Sequence, residues 1–269
     1  MGEVFSRAVA VFARHFPALA LFTVVIFLPL GIWEVMAAGK AWGAPAEIVV
    51  GSGYRVPLSF WARFTQANGM VGQFIDLIVP LVLQATVTLG VFQFLGGHRV
   101  DYARSFRRGM ARFFPVLGVA LITALVLLLA MIVVIALLGT LFAMTIGGVG
   151  AGSLMVIVGT LVMLAVLTLF FVGPQVAVVE GVGPARAMAR SAWLTQGVRW
   201  QVFGILFVFG AIGFFGTVLV QRGIWSAPTS RAAATTAVVV TLAWAALVSM
   251  LQAVTAVVVY HDLRKEKEG

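Results

Sequence analysis

Six stretches of apolar sequence, each about 20 residues or longer, divide this chain: approximately Phe16 to Ala38, Met70 to Phe94, Pro115 to Gly139, Ser153 to Val179, Val198 to Val220 and Ala237 to Tyr260. Coiled as α-helix, a stretch of that length covers a hydrocarbon layer of about 30 Å. In such a layer the backbone has no water to bond to, so separate apolar runs must satisfy their amides internally as helices. Only 10% of the residues are charged and 62% are hydrophobic, whereas a soluble globule carries about 25% charged residues. The chain is therefore expected to be an all-α integral membrane protein with six transmembrane helices.

A basic, aromatic-tipped segment recurs ahead of alternate runs. It reads Phe12-Ala13-Arg14-His15-Phe16-Pro17-Ala18-Leu19 and returns as Met110-Ala111-Arg112-Phe113-Phe114-Pro115-Val116-Leu117, with a looser version from Arg186 to Trp200. Arg7, Ala10 and Arg14 share one helical face with Glu3, and Phe5, Ala8, Phe12 and Phe16 share the other. Arg104, Arg108 and Arg112 form a second stripe, opposite Tyr102, Phe106, Met110 and Phe113. In the third copy Pro184 follows Gly183 at a favourable first helical position, Arg186 and Arg190 are four apart, and Trp193 and Trp200 fall at interfacial positions. This is the spacing of helices that lie in the membrane surface.

The even-numbered runs repeat as well. Leu83-Gln84-Ala85 precedes Phe92-Gln93-Phe94-Leu95 at the spacing by which Leu251-Gln252-Ala253 precedes Tyr260-His261-Asp262-Leu263. The pattern predicts one membrane domain, residues 1–269, built from three parallel units at approximately 1–98, 99–182 and 183–269. Each unit is an interfacial amphipathic helix plus a helical hairpin, and two spans per unit make all three enter from the same side, related by an axis along the membrane normal. Gly147 to Gly152 is expected to form a short glycine-rich turn and Gln221 to Thr235 a modest polar loop. The long connection, 39–69, is expected to be an external loop with a hairpin over Ile48 to Val56 and a short surface helix over Ser59 to Ala67.

The net charge of +9 does not point to nucleic acid, because the cations line span ends instead of gathering in a soluble module. With the N-terminus inside, thirteen cationic residues (Arg7, Arg14, Arg99, Arg104, Arg107, Arg108, Arg112, Arg186, Arg190, Arg199, Arg264, Lys265, Lys267) face the cytoplasm and five (Lys40, Arg55, Arg63, Arg222, Arg231) face away. That bias places both termini in the cytoplasm. The first span is expected to be retained, since Arg7 and Arg14 sit within a helical pattern and no small-residue cleavage site follows it.

Few residues are candidates for chemistry. Asp76 lies four or five residues into the second span, with Pro80 following; it is either an interfacial anchor or the lining of a broken-helix cavity. Glu34 and Glu180 sit near span ends and read as anchors or ion-pair partners. Gln84, Gln175 and Gln252 each precede by eight residues the cytoplasmic end of an even-numbered span, about 12 Å inside it. They form either hydrogen-bonded glue between helices or a polar constriction in a solute path. His15, His98 and His261 map to the cytoplasmic side, but no carboxylate pattern accompanies them and no metal site is expected. Without cysteine there is neither a disulfide nor a thiolate site. Helical His-Glu-x-x-His, Gly-x-Ser-x-Gly and phosphate-loop patterns are absent from the sequence. No cofactor is expected. Arg7, Arg14, Arg104, Arg108, Arg112, Arg186 and Arg190 form a candidate collar for anionic lipid head groups.

Pro174-Gln175-Val176-Ala177-Val178-Val179-Glu180-Gly181, then Ala187 to Gly197 (Ala-Met-Ala-Arg-Ser-Ala-Trp-Leu-Thr-Gln-Gly), then Arg199-Trp200-Gln201-Val202-Phe203-Gly204 resemble the glycerophosphoryl diester phosphodiesterase membrane domain family. The closing Tyr260-His261-Asp262-Leu263-Arg264 is similar to that group's tail. The resemblance extends over essentially the whole chain. It implies a six-span bacterial inner-membrane protein. The catalytic barrel that follows this domain in some members has no counterpart in the sequence, so the resemblance carries no phosphodiesterase activity and no functional residue. The expected function is a non-enzymatic polytopic inner-membrane protein that organises or senses its lipid environment, or is the membrane subunit of an assembly with a membrane or cytoplasmic protein partner. The alternative is a small-solute or lipid transporter or channel along the repeat axis.

The sidedness is directly testable in the cysteine-free background. Single cysteines at Gly2, Ser105, Ser191 and Gly269 are expected to resist an impermeant thiol reagent in intact cells, while cysteines at Ser52 and Ser226 are labelled; labelling at Ser105 from outside would overturn the topology.

Overall fold

Each of the six apolar runs lies in a helix long and apolar enough to cross a membrane: Leu19–Gly43, Ala62–Phe94, Phe113–Leu137, Leu154–Val179, Arg199–Val218 and Arg231–Glu268. The protein is an all-α membrane protein. The structure, a computed structural model, describes residues 2–45, 47–50, 54–57, 59–95, 102–145, 148–219 and 230–268. In chain order the elements are α1 (Gly2–Gly43), β1 (Glu47–Val50), β2 (Tyr54–Pro57), α2 (Phe60–Leu95), α3 (Tyr102–Ala111), α4 (Phe113–Thr145), α5 (Gly148–Phe170), α6 (Gly173–Val179), α7 (Pro184–Leu194), α8 (Arg199–Val218) and α9 (Arg231–Glu268).

The mid-span surface is what a hydrocarbon solvent demands. Leu21, Val25, Leu28, Leu125, Leu128, Ile132, Phe214 and Phe215 are each more than half exposed, apolar exposure of a kind that water would not tolerate on a monomer. Hydroxyls within the spans turn back on their own helices: Thr23, Thr123, Thr160, Thr168 and Thr241 each donate to the carbonyl four residues earlier at 2.7 to 2.9 Å. This removes the cost of an unpaired hydroxyl in lipid.

The chain forms two compact units, and α1, α2, α8 and α9 contribute residues to both. The larger comprises Met1–Ala8, Ala85–Val208 and Val254–Gly269. Within it α4 packs against α5, α6 and α7, and Val116, Val119, Val172, Val176, Leu194, Val254 and Val257 are buried to 1% exposure or less. The smaller unit comprises Val9–Gln84 and Phe209–Ala253. There Phe60, at the start of α2, packs with Ala38 and Ala41 of α1 and with Ala234 and Val238 of α9, with Trp42, Phe64 and Ala67 alongside. Ser59 caps this segment by accepting from the Ala62 amide at 3.2 Å, as Ser230 caps α9 through the Ala233 amide at 3.1 Å.

Several local expectations are met. β1 and β2 pair antiparallel with Ile48 opposite Val56, and α7 starts at Pro184 after an extended Gly183. Others are corrected. The first basic segment is not a separate surface helix, because α1 runs unbroken from Gly2 to Gly43 through Pro17 and Pro29; proline is tolerated inside membrane helices when neighbouring groups take up the freed carbonyl. The predicted turn at 147–152 is helical from Gly148, and the loop at 221–235 is helical from Arg231. Glycine weakens a helix in water, but backbone bonding inside the helix outweighs that preference where water is scarce. The fourth span bends at Phe171 and Val172, between α5 and α6. In α2 the helical break falls at Gly69, whose φ of 61° is a left-handed value open to glycine, and not at Pro80. The segment before that break is the predicted 59–67 helix, held by the buried Phe60 instead of lying free on a surface.

Candidate functional site

The densest polar constellation lies where α6 turns into α7 and meets the last turns of α9, within the larger unit. The turn is built by Gly181, with φ 68°, a left-handed conformation that a side chain would strain. A Cβ there would also press on the Arg112 guanidinium, which donates from Nη1 to the Gly181 carbonyl at 3.2 Å. Pro184 then opens α7, its missing amide being one that a first helical turn leaves unbonded anyway.

Glu180 is the hub. Its Oε1 accepts from the Tyr260 hydroxyl at 3.0 Å and from Arg190 Nε at 3.5 Å. Arg190 also pairs with Glu268, and Glu268 accepts from Arg264 Nε at 2.8 Å one helical turn away. Arg190 and Lys267 both lie over the Trp193 ring, at 4.7 Å and 4.8 Å from its centroid. Lys267 Nζ further donates to the Trp193 and Gln196 carbonyls at 2.6 Å and 2.9 Å, which terminate α7 and carry partial negative charge. Tyr260 is fully buried and meets Phe92 at 6.0 Å. The Arg190–Glu268 pair and the Lys267 contacts thus join α7 and the turn after it to the end of α9 directly, and Glu180 bridges the same two helices by accepting from both Arg190 and Tyr260.

This arrangement positions helices. Its carboxylates and cations are paired with one another, and the tyrosine hydroxyl donates to one of those carboxylates. Among the described residues no cluster of three or more His, Asp or Glu could hold a metal ion. His261 Nδ1 lies 3.3 Å from the neighbouring Asp262; the His15 side chain and His98 lie outside the described residues.

A second, smaller constellation lies in the smaller unit. Trp33 Nε1 donates to Asn68 Oδ1 at 2.8 Å, and Asn68 Nδ2 donates to Asp76 Oδ2 at 3.2 Å. Glu34 lies within electrostatic reach of Asp76. Gly72 makes room for this relay, since a Cβ at that position would overlap the Asn68 amide and the Trp33 indole. Asp76 is therefore tied to an amide from the turn before Gly69, and the helix continues through Pro80 without opening a gap.

The other sequence candidates distribute as follows. Gln175 is fully buried, whereas Gln84 and Gln252 are half-buried; Gln175 belongs to the larger unit and the other two to the smaller. Arg108, Arg112 and Arg186 are exposed and Arg190 is half-buried; the side chains of Arg7, Arg14 and Arg104 lie outside the described residues. Sequence reading missed the Tyr260 and Lys267 contacts and the Trp33–Asn68–Asp76 relay. The available signal for the relay was a lone amide two helical turns before an intramembrane aspartate, and the break at Gly69 disrupts the straight helical register that would have linked them. No family model matches the chain, and neither a curated protein nor a solved structure matches it.

The clamp has a measurable strength. In a double-mutant cycle of Tyr260→Phe and Glu180→Gln, followed by unfolding in mixed micelles, a coupling of about 1 to 2 kcal/mol is expected for a hydrogen bond to a charged group in a partly shielded site. Additive losses would mean that the hydroxyl and carboxylate do not act as a pair.

Proposed function

We propose that this chain is a non-enzymatic, multi-pass inner-membrane protein whose arginine-rich span ends engage anionic lipid. In this reading it organises or senses its lipid environment, or anchors a larger assembly, with both termini in the cytoplasm. The supporting observation is the division of labour among the arginines. Arg190 is consumed by the clamp and Arg112 donates to the Gly181 carbonyl, whereas Arg107, Arg108, Arg186 and Arg199 stay exposed, Arg199 directly before the exposed Trp200 in the chain. Exposed guanidinium groups next to interfacial tryptophans match the level of lipid phosphates. The amphipathic pattern of α3 and α7 and the resemblance in sequence to the phosphodiesterase membrane domain family fit the same reading.

Replacing Arg104, Arg108 and Arg112 by glutamine is expected to weaken association with anionic vesicles, by about 1 kcal/mol for each arginine near the surface, while the spans remain inserted. The loss should shrink as salt shortens the Debye length to about 10 Å at 0.1 M. Unchanged retention on anionic lipid would reduce the collar to a topology signal.

The transport alternative is separated from this reading by the glutamines. Full burial of Gln175 suits interhelical bonding, typically worth about 0.6 kcal/mol and at most about 1.7. Changing Gln84, Gln175 and Gln252 together to leucine is therefore expected to leave an inserted protein with its lipid preference, destabilised by a few kcal/mol at most. Solute flux in reconstituted vesicles that the triple change abolishes would replace lipid organisation with transport.

A further inference from the structure

Between the second half of α5 and the start of α8, within the larger unit, runs a groove of about 380 Å³ lined by Ala165, Val166, Leu169 and Phe203, with Arg199 and Trp200 at its head. Its one other lining residue, Thr168, has its hydroxyl already committed to the Leu164 carbonyl at 2.7 Å, so the trough presents no free polar group of its own. Arg199 differs from the arginines of the clamp. It is exposed and, among the described residues, makes no hydrogen bond or ion pair. Trp200 stands 84% exposed next to it, edge-on to Phe203 at 5.8 Å. A dry apolar trough opening beneath an unpaired cation and an outstanding indole has the polarity order of a phospholipid: chain below, glycerol level at the indole, phosphate above.

We propose that this groove is a discrete binding site for one acyl chain of an anionic phospholipid, whose phosphate is held by Arg199. The inference rests on the lipid-engaging reading above and narrows it from a diffuse collar to a single site. Charge complementarity selects the occupant. A cationic amphiphile would leave the guanidinium unpaired, a zwitterionic phospholipid would bring its own cation to compete for the phosphate, and a soluble anion would leave the trough empty. Arginine suits the role because its planar fork can bind two phosphate oxygens together. A larger groove of about 520 Å³ beside α1 and α9, lined by Thr23, Phe27, Gly31, Met36, Leu242 and Ala246 among others, has no cation on its lining and is not expected to select a head group.

The test uses the full chain in neutral detergent with phosphatidylglycerol and phosphatidylcholine of identical acyl chains added in equal amounts, and counts retained lipid by native mass spectrometry. The unmodified protein is expected to keep phosphatidylglycerol in preference. Arg199→Gln should lower that preference about fivefold, the equivalent of one surface arginine, and because Arg199 is exposed the change should spare the fold. Arg199→Lys should restore most of it. Ala165→Trp, or Val166→Phe as a second filler, should displace both lipids by occupying the trough. An intact preference in Arg199→Gln alongside a loss in Arg108→Gln would overturn this site and leave the general lipid reading standing. Absence of any preference in the unmodified protein would overturn both.

Discussion

A polar group placed in hydrocarbon must find its partner inside the protein, and this structure is organised around that requirement. The backbone meets it by staying helical through sequence that would break a helix in water: α1 continues through two prolines, and α5 begins within a glycine-rich segment. The threonine hydroxyls meet it by bonding to their own helices. The Trp33–Asn68–Asp76 relay meets it by giving an intramembrane carboxylate an amide donor, whereas the buried Trp244 Nε1 has no hydrogen-bond partner among the described residues. With no driving force from water to bring the helices together, such bonds and close packing supply the specificity of contact.

At the span ends the rule relaxes, because head groups and water can solvate charge. Four of the protein's ion-paired side chains lie there. Glu180, Arg190, Arg264 and Glu268 are each partly exposed, with side-chain exposures between 19% and 42%. At that exposure an isolated surface pair contributes about 0 to 1 kcal/mol. The network therefore gains its value from connectivity: one carboxylate joins α7 to α9 through both a cation and the hydroxyl of a fully buried tyrosine. Holding α7 in this way leaves Arg186 on its exposed face and fixes the turn into α8, where Arg199 and Trp200 begin the next span.

The candidate site was legible only in part. Glu180 was recognised as an anchor or ion-pair partner because an acid at a span end needs a counter-charge, and Arg190 lies ten residues on. Tyr260 and Lys267 were not, since their partners lie 80 and 74 residues away and no local spacing encodes the contact. Pro80 drew attention as a helix breaker, yet the break fell at Gly69: a proline costs one backbone bond and can stay helical, whereas a left-handed φ requires a residue without Cβ.

The sequence by itself determined the solvent, the class and the number of spans, because hydrophobicity over about 20 residues is a local sum that no distant contact can reverse. It also determined the β-hairpin over 48–56 and the start of α7, which follow from short-range turn and capping chemistry. Tertiary structure alone decided which arginines are consumed in ion pairs and which stand free. It alone joined Asn68 to Asp76, buried Phe60 under the ends of α1 and α9, and opened a trough beneath Arg199. Those outcomes depend on the direction and distance between side chains on different helices. An apolar run sets how long a helix is and leaves open which of its faces meets a neighbour, so contact between helices is decided only when they pack.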